Sequence, residues 1–396
     1  MRIADRVKKL NSSMTLAIAD RAREIKLNNI DVISFATGEP DFDTPVQIKE
    51  EAIKWTQRGY TKYVASDGIP ELKEVIRQKL LRENKLDYAA SEILVCNGAK
   101  QAIYEAFGAI LNPGDEVIIP TPCWVSYIEQ VKLFDGIPVI TPTKEQDNFK
   151  LNAKDFEKKI TGKTKAIVLN SPNNPTGAVI QKEELRKIAR LAVENQLFVI
   201  SDEVYELLVY NDDKCFSIAA FDDAIKKLTI TVNSLSKSYC MTGWRVGYAA
   251  GNKEIISAMA DIHGHMTGNV NSIAQKAGAE AIANFHDFAT MIEEYKQRRD
   301  LMVERLNGMP GIHCKSPDGA FYTYTNVTSY YGKSFGGKVI RNSYDLAEFL
   351  LEQAHVACVP GEAFSMDGYI RLTFAIARER LVEGLDRVES ALKQLR

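Results

Sequence analysis

The 396-residue sequence lacks paired cysteines, a surplus of either charge and any long apolar run, and each absence narrows what the chain can do. Its six cysteines (Cys96, Cys123, Cys215, Cys240, Cys314 and Cys358) are scattered, with no Cys-x-x-Cys spacing. That excludes a disulfide framework, gives no metal-ligand pattern, and fits buried thiols in a reducing compartment. Lys plus Arg number 50 against 52 Asp plus Glu, a net charge of −2. Neither nucleic acid nor an anionic membrane surface is therefore expected as a partner. The N-terminus, Met1 to Lys9, is basic, but the apolar patch after it is short and ends at Asp20. No signal peptide fits and no run is long enough to cross a bilayer, so the expected location is the cytoplasm. What is present is a composition of 45% hydrophobic and 26% charged residues, enough for a sizeable core. The length suggests two domains.

From residue 93 onward, short apolar runs alternate with helical spacing. Ile93–Cys96, Glu116–Ile119, Ile137–Ile140, Lys165–Asn170, Leu197–Asp202 and Leu228–Asn233 read as strands. Helices are expected at Gln101–Leu111, Val125–Lys132 and Lys182–Asn195 between them, and at 5–28, 46–57 and from Pro70 before them. Such alternation argues for a mostly parallel sheet covered on both faces, an α/β fold. Beyond Tyr248 the texture changes. One or two long helices over 272–307, a strand pair between Cys314 and Val327, a helix at Ser343–Ala354, short strands at His355–Val359 and Tyr369–Phe374, and a closing helix at Arg378–Leu395 read as a smaller α+β part. Tyr330 to Gly337 reads as a Gly-rich surface loop.

Ligands of open parallel sheets bind beyond the carboxyl ends of the strands. Asn97-Gly-Ala-Lys100, Asn174, Asp202 and Lys237 all follow apolar strands, so one crevice could hold them together. Lys237 directly follows Ser236 and stands three residues after Ser234, with Arg245 eight residues on: an amine among ligands suited to phosphate. Nearby positive charge disfavours the ammonium form, so the grouping suits a lysine that bonds to a phosphorylated aldehyde. A pyridine aldehyde would need a carboxylate at its ring nitrogen, for which Asp202 is the candidate. Tyr205 and Asn174 could bond the ring hydroxyl, Trp124 could stack on the ring, and the helix start at Gly98, Ala99 and Lys100 would favour the phosphate. Arg371 is isolated in an apolar strand, where a substrate carboxylate would complete it. Singly, Asp202 could be a helix cap, Trp124 a core residue and Arg371 a strand-edge charge. Together they are not so easily dismissed.

These residues fall in segments that carry a resemblance. Asn173-Asn-Pro-Thr-Gly177, Ser201-Asp-Glu-Val-Tyr205, Ser234-Leu-Ser-Lys237 and Gly243-Trp-Arg-Val-Gly-Tyr248 resemble the class I/II aminotransferases of fold type I, which depend on pyridoxal phosphate. Phe35 to Pro45 and Asn97-Gly-Ala-Lys-Gln101 are similar to the bacterial and archaeal aspartate aminotransferase branch. The resemblance implies Lys237 as the lysine that carries pyridoxal 5′-phosphate, Asp202 at the ring nitrogen, and Tyr205 and Asn174 at the ring oxygen. It implies Ser234, Ser236, Arg245 and the Gly98–Lys100 turn at the phosphate, Trp124 on the ring, and Gly38, Asn174 and Arg371 at the substrate carboxylate. Tyr63 would reach the phosphate of a neighbouring subunit, making a homodimer with shared sites. A large cofactor-binding domain over 46–299 and a small domain from 1–45 plus 300–396 follow from the same likeness. The substrates would be an amino acid and a 2-oxo acid, with aspartate and glutamate favoured. His263-Gly-His-Met-Thr-Gly268 lies near where some aspartate enzymes place an arginine for the distal carboxylate, and it has none. Aminotransfer from other amino acids and a β-eliminating lyase are the rival chemistries. A cofactor-sensing regulator would need an added DNA-binding domain, and fewer than 40 residues precede Gly38.

Overall fold

The structure, a computed structural model, describes residues 3–11, 14–211 and 215–396. Its centre is a seven-stranded sheet: β1 (Ile93–Cys96), β2 (Glu116–Thr121), β3 (Ile137–Pro142), β4 (Thr164–Asn170), β5 (Phe198–Asp202), β6 (Thr229–Ser234) and β7 (Gly247–Ala250). They lie side by side in the order β1-β7-β6-β5-β4-β2-β3. All neighbours run parallel except β7, which is antiparallel to both β1 and β6. The apolar runs fold this way because both sheet faces are covered: every residue of β1 and β6 is buried. Helix α1 (Ala99–Ile110) packs on one such face, burying Ala102, Ile103, Ala106, Phe107 and Ile110. Helix α2 (Lys182–Glu194) buries Leu185, Ile188, Ala189 and Ala192, the spacing that puts one stripe on the sheet.

The six strands expected for this sheet all form, within a residue or two at their ends. β7 was not foreseen: Gly-Tyr-Ala-Ala has little intrinsic strand preference and is held by its two neighbours. Helix α3 (Lys253–Met266) was not foreseen either. The segment 272–307 divides into α4 (Ser272–Asn284) and α5 (Ala289–Asn307). The expected helix over 5–28 is two pieces, Asp5–Lys8 and Met14–Leu27; residues 12 and 13 lie outside the described residues.

The C-terminal part is a four-stranded antiparallel sheet in the order Val359–Pro360, Tyr369–Thr373, Tyr322–Asn326, His313–Cys314. The expected strand at His355–Val359 divides at Cys358 into Val356–Ala357, paired elsewhere, and Val359–Pro360. Ile33–Ser34 pairs in parallel with Val356–Ala357, which ties the N-terminal segment to the C-terminal part. The Gly-rich loop is a small hairpin, Ser334–Phe335 against Lys338–Val339. Gly336 and Gly337 turn it at φ of 55° and 82°, the left-handed pair that a two-residue hairpin turn needs. No helix among the described residues is long and apolar enough to cross a membrane.

Candidate active site

Because β1, β2, β4, β5 and β6 share one direction, their carboxyl ends open on one edge, and the functional side chains gather there. Asp202, the last residue of β5, is 4% exposed. Its carboxylate accepts the Tyr127 hydroxyl at 2.5 Å and the Val204 N–H at 3.3 Å. Burial raises its pKa to about 6, against the lowering effect of these bonds and of Lys237. No ion pair reaches Asp202 among the described residues, although a buried carboxylate calls for a positive partner. Lys237 sits three residues beyond β6, half-buried, with its amine donating to the Gly38 carbonyl. Burial brings its pKa down to about 8; Arg371 and Arg245 act the same way, and Glu39 and Asp202 oppose them. That makes a lysine able to shed its proton near neutrality, the condition for a nucleophilic amine. Tyr205 and Phe321 flank it, their ring centroids 5.8 and 5.7 Å from Nζ.

Arg371 is 3% exposed on the strand Tyr369–Thr373. Its Nη1 donates to Asn174 Oδ1 at 2.9 Å and its Nη2 to the Ala36 carbonyl at 2.8 Å, while Nε is buried without a partner. The Tyr322 and Phe364 rings lie 4.3 and 5.0 Å from its guanidinium carbon. The Tyr205 and Tyr322 hydroxyls are 3.0 Å apart. A Cβ on Gly38 would stand 3.0 Å from the Tyr322 hydroxyl and 4.0 Å from Arg371 Nη2, so glycine keeps this approach open.

On the other side of the crevice, Gly98 (φ 78°) starts α1. A side chain there would be unfavourable in conformation and would put Cβ 2.6 Å from Arg245 Nη2. The turn therefore ends at Gly98, and Ala99 and Lys100 are already helical. Arg245 donates to the carbonyls of Thr242 and Asn97, at 2.8 and 3.2 Å. Ser234, the last residue of β6, and Ser236, in the loop after it, are buried, the Ser236 N–H donating to Ser234 Oγ at 3.3 Å. Lys100 Nζ lies 5.0 Å over the Trp124 ring, which meets Tyr127 edge-on at 5.3 Å. Burial and the Arg245 charge lower the Lys100 pKa, and Lys100 joins no ion pair among the described residues.

A chain of contacts thus runs from Lys100 through Trp124 and Tyr127 to Asp202, and from Lys237 through Gly38 and Tyr205 to Arg371 and Asn174. Tyr63 stands outside it, 97% exposed. Tyr60, three residues before it, packs on Trp55, with ring centroids 5.1 Å apart. Cys240 has φ of 54°, and its thiol lies 3.7 Å from the Met291 sulfur. Two site residues escape the sequence reading, Tyr127 and Tyr322. Tyr127 lies three residues beyond Trp124, in the helix Ser126–Leu133, and Tyr322 opens the strand Tyr322–Asn326; neither position carries a sequence signal that separates it from core.

A phosphorylated pyridine aldehyde fits these residues: a buried carboxyl without a cation, an amine of lowered pKa, a side-chain-free helix start beside Arg245, and a guanidinium with an unused N–H. Such a grouping at the carboxyl edge of an open α/β sheet defines an enzyme that works on small carboxylate-bearing molecules. The chain belongs to the class I and II aminotransferases, whose family model matches residues 30–388. It is 48% identical over 396 residues to a probable aspartate/prephenate aminotransferase of Aquifex aeolicus, covering 99% of both chains. Identity is 44% with an aspartate aminotransferase of Bacillus sp. strain YM-2, again over 99% of both. The aspartate aminotransferase of Rhizobium meliloti superposes with a TM-score of 0.96 at 40% identity, over 100% of each chain. That of Thermus thermophilus with maleate does so at 0.92 and 40%, over 99% of this chain and 100% of its own. The fold is accordingly fold type I.

Proposed function

We propose that the protein is a pyridoxal-phosphate-dependent aminotransferase that moves an amino group between aspartate or glutamate and a 2-oxo acid in two half-reactions. Bound at Lys237, the cofactor would supply an aldehyde and a protonated ring that withdraws electrons from the substrate. The protein's part is to place and charge the groups around it. Asp202 would keep the proton on the ring nitrogen, oriented by Tyr127, and Tyr205 and Asn174 would hydrogen-bond the ring oxygen. Ser234, Ser236, Arg245 and the N–H groups at the start of α1 would hold the phosphate, and Trp124 would cover the ring. Arg371 and Asn174, with Gly38 leaving room, would grip the α-carboxylate. The freed Lys237 amine would take the proton from the substrate Cα as a base and return it as an acid. The observation that carries this reading is the Lys237 amine, at a pKa of about 8, beside a buried Asp202 on which no other cation acts among the described residues.

Lys100 supports the dicarboxylate preference, since it is a cation at the crevice without an acidic partner among the described residues. The relatives' names point the same way, as do the Thermus enzyme's four-carbon diacid maleate and the second carboxylate of prephenate. The two-domain division, 46–299 against 1–45 plus 300–396, and a homodimer with Tyr63 in the partner's site belong to the same proposal. Borohydride reduction followed by peptide mapping tests it: the cofactor should be fixed on Lys237, and Lys237→Ala should lose both the label and transamination. A label on another lysine would overturn it. Screening amino donors against 2-oxoglutarate, oxaloacetate and prephenate then identifies the acceptor.

A further inference from the structure

Below the helix start that faces Arg245, a polar network sits in an otherwise apolar interior. Glu105, on α1, has a side chain with no exposure, and so has His263, on α3. Glu105 Oε1 is 2.8 Å from His263 Nδ1, and Oε2 accepts the Cys96 thiol at 3.3 Å. Leu94, Ala102, Ile103, Ala106, Phe107 and Met259 belong to the same buried cluster. Placing a carboxyl there is costly unless it is bonded, so the network specifies geometry more than it adds stability.

The three residues lie on three different elements that meet at one turn. Cys96 ends β1 and directly precedes Asn97. A second link runs parallel to the first: the Asn97 N–H donates to Gln101 Oε1 at 2.6 Å, and Gln101 Nε2 donates to Thr267 Oγ1, at the C-cap of α3, at 2.9 Å. Beneath the turn runs β7, where a Cβ on Gly247 would stand 2.7 Å from the Ala99 nitrogen and from the Gly98 carbonyl carbon. The turn is thus seated on β7 and tied twice to α3. The segment His263–Gly268, which has no arginine to offer a substrate, acts from behind.

We propose that Glu105 and His263, together with Gln101 and Thr267, are positioning residues that fix the tilt and height of α1 and so aim its first N–H groups at the cofactor phosphate. This rests on the reading that Gly98–Lys100 and Ser236 hold that phosphate. The test compares how cofactor-free protein binds pyridoxal phosphate and pyridoxal, which lacks the phosphate, by absorbance titration. Glu105→Gln alters the buried pair at constant shape. Thr267→Val removes the second link at an exposed position and keeps the core whole if the first variant folds poorly. Misaligning one charged hydrogen bond should weaken pyridoxal phosphate about tenfold in either variant and leave pyridoxal unchanged. Equal weakening of both compounds shows a merely structural role, and unchanged affinity for both shows none; either result overturns the proposal. Ser236→Ala is the control. If it loses the preference for the phosphate form while Glu105→Gln and Thr267→Val keep it, the positioning role alone fails. If Ser236→Ala and both variants keep the preference, the phosphate site lies elsewhere and the proposal fails with it.

Discussion

Arg371 carries a charge into the interior with a carboxamide, a backbone carbonyl and two aromatic rings to receive it. Burial lowers its pKa, and its Nε remains unbonded, so a carboxylate entering the crevice would gain about 1.5–3 kcal/mol per charged hydrogen bond. Arg371→Ala should therefore raise KM about tenfold or more for every amino donor, because the α-carboxylate is common to all. Steady-state kinetics with aspartate, alanine and phenylalanine check this; a loss confined to one donor would place Arg371 at the side-chain end. Lys100 makes the opposite prediction. It lies at the first turn of α1, where a cation opposes the helix dipole by about 0.3–1 kcal/mol, over a ring 5.0 Å away. A distal carboxylate would offset that cost. Lys100→Ala should lower kcat/KM for aspartate at least tenfold more than for alanine or phenylalanine. An equal loss for all three would assign Lys100 to the phosphate instead.

One residue beyond Asp202, Glu203 begins a second buried network that joins three elements. Its Oε1 accepts the hydroxyls of Ser201 and Ser217, at 2.9 and 2.7 Å, and Asn84 bridges it to Glu206. Lys79 pairs with Glu206, which also accepts from Asn233 at 2.5 Å. Lys79 also meets Glu83 at 3.6 Å, so its ammonium is shared among carboxyls, and burial together with Glu206 raises the Glu203 pKa to about 7. Its unfolded value is near 4.5, so between pH 4.5 and 7 the folded chain holds a proton that the unfolded chain has released. Stability from this group is complete below pH 4.5 and falls as pH rises toward 7. Glu203→Gln removes the dependence. The variant's stability relative to the parent should rise by on the order of 2 kcal/mol from pH 5 to pH 8, read from denaturant unfolding. A constant difference across that range would refute the assignment. None of this was legible in sequence, where nothing separates Lys79 from the other charges of the helix that starts at Pro70. Elements were legible where burial on both faces forces apolar runs, as in β4 and β5. They were hidden where neighbours impose the shape, as in β7, or where two glycines convert a loop into the hairpin at 334–339. Site residues at strand ends could be found from the parallel topology; Tyr127 and Tyr322 could not, since a buried tyrosine looks like core until its hydroxyl partner is known.

For the whole molecule the question is what covers Tyr63. Its side chain is 97% exposed, and on the preceding helix Val46 and Ile53 are 62% and 56% exposed. Those two are seven residues apart on Val46–Gln57 and so share one exposed apolar face of that helix. Scattered exposed apolar residues are ordinary, but a tyrosine without any cover has a polar tip and a ring ready for a partner. If a second copy covers it, Tyr63 of each subunit serves the other's site. Hybrid dimers test this directly. Tyr63→Ala subunits keep Lys237 but deprive the partner of the tyrosine; Lys237→Ala subunits keep the tyrosine but carry no reactive amine. A heterodimer of the two has one site in which Lys237 of the first subunit meets Tyr63 of the second, and one site lacking both. Verified heterodimers should therefore show close to half the activity of the unmodified dimer, and a cofactor affinity at that one site equal to the parent's. Tyr63→Ala homodimers should bind pyridoxal phosphate about tenfold more weakly, the loss expected for one hydrogen bond to a charged group. Heterodimers no more active than the average of their parents would place Tyr63 in its own subunit's site, or in none.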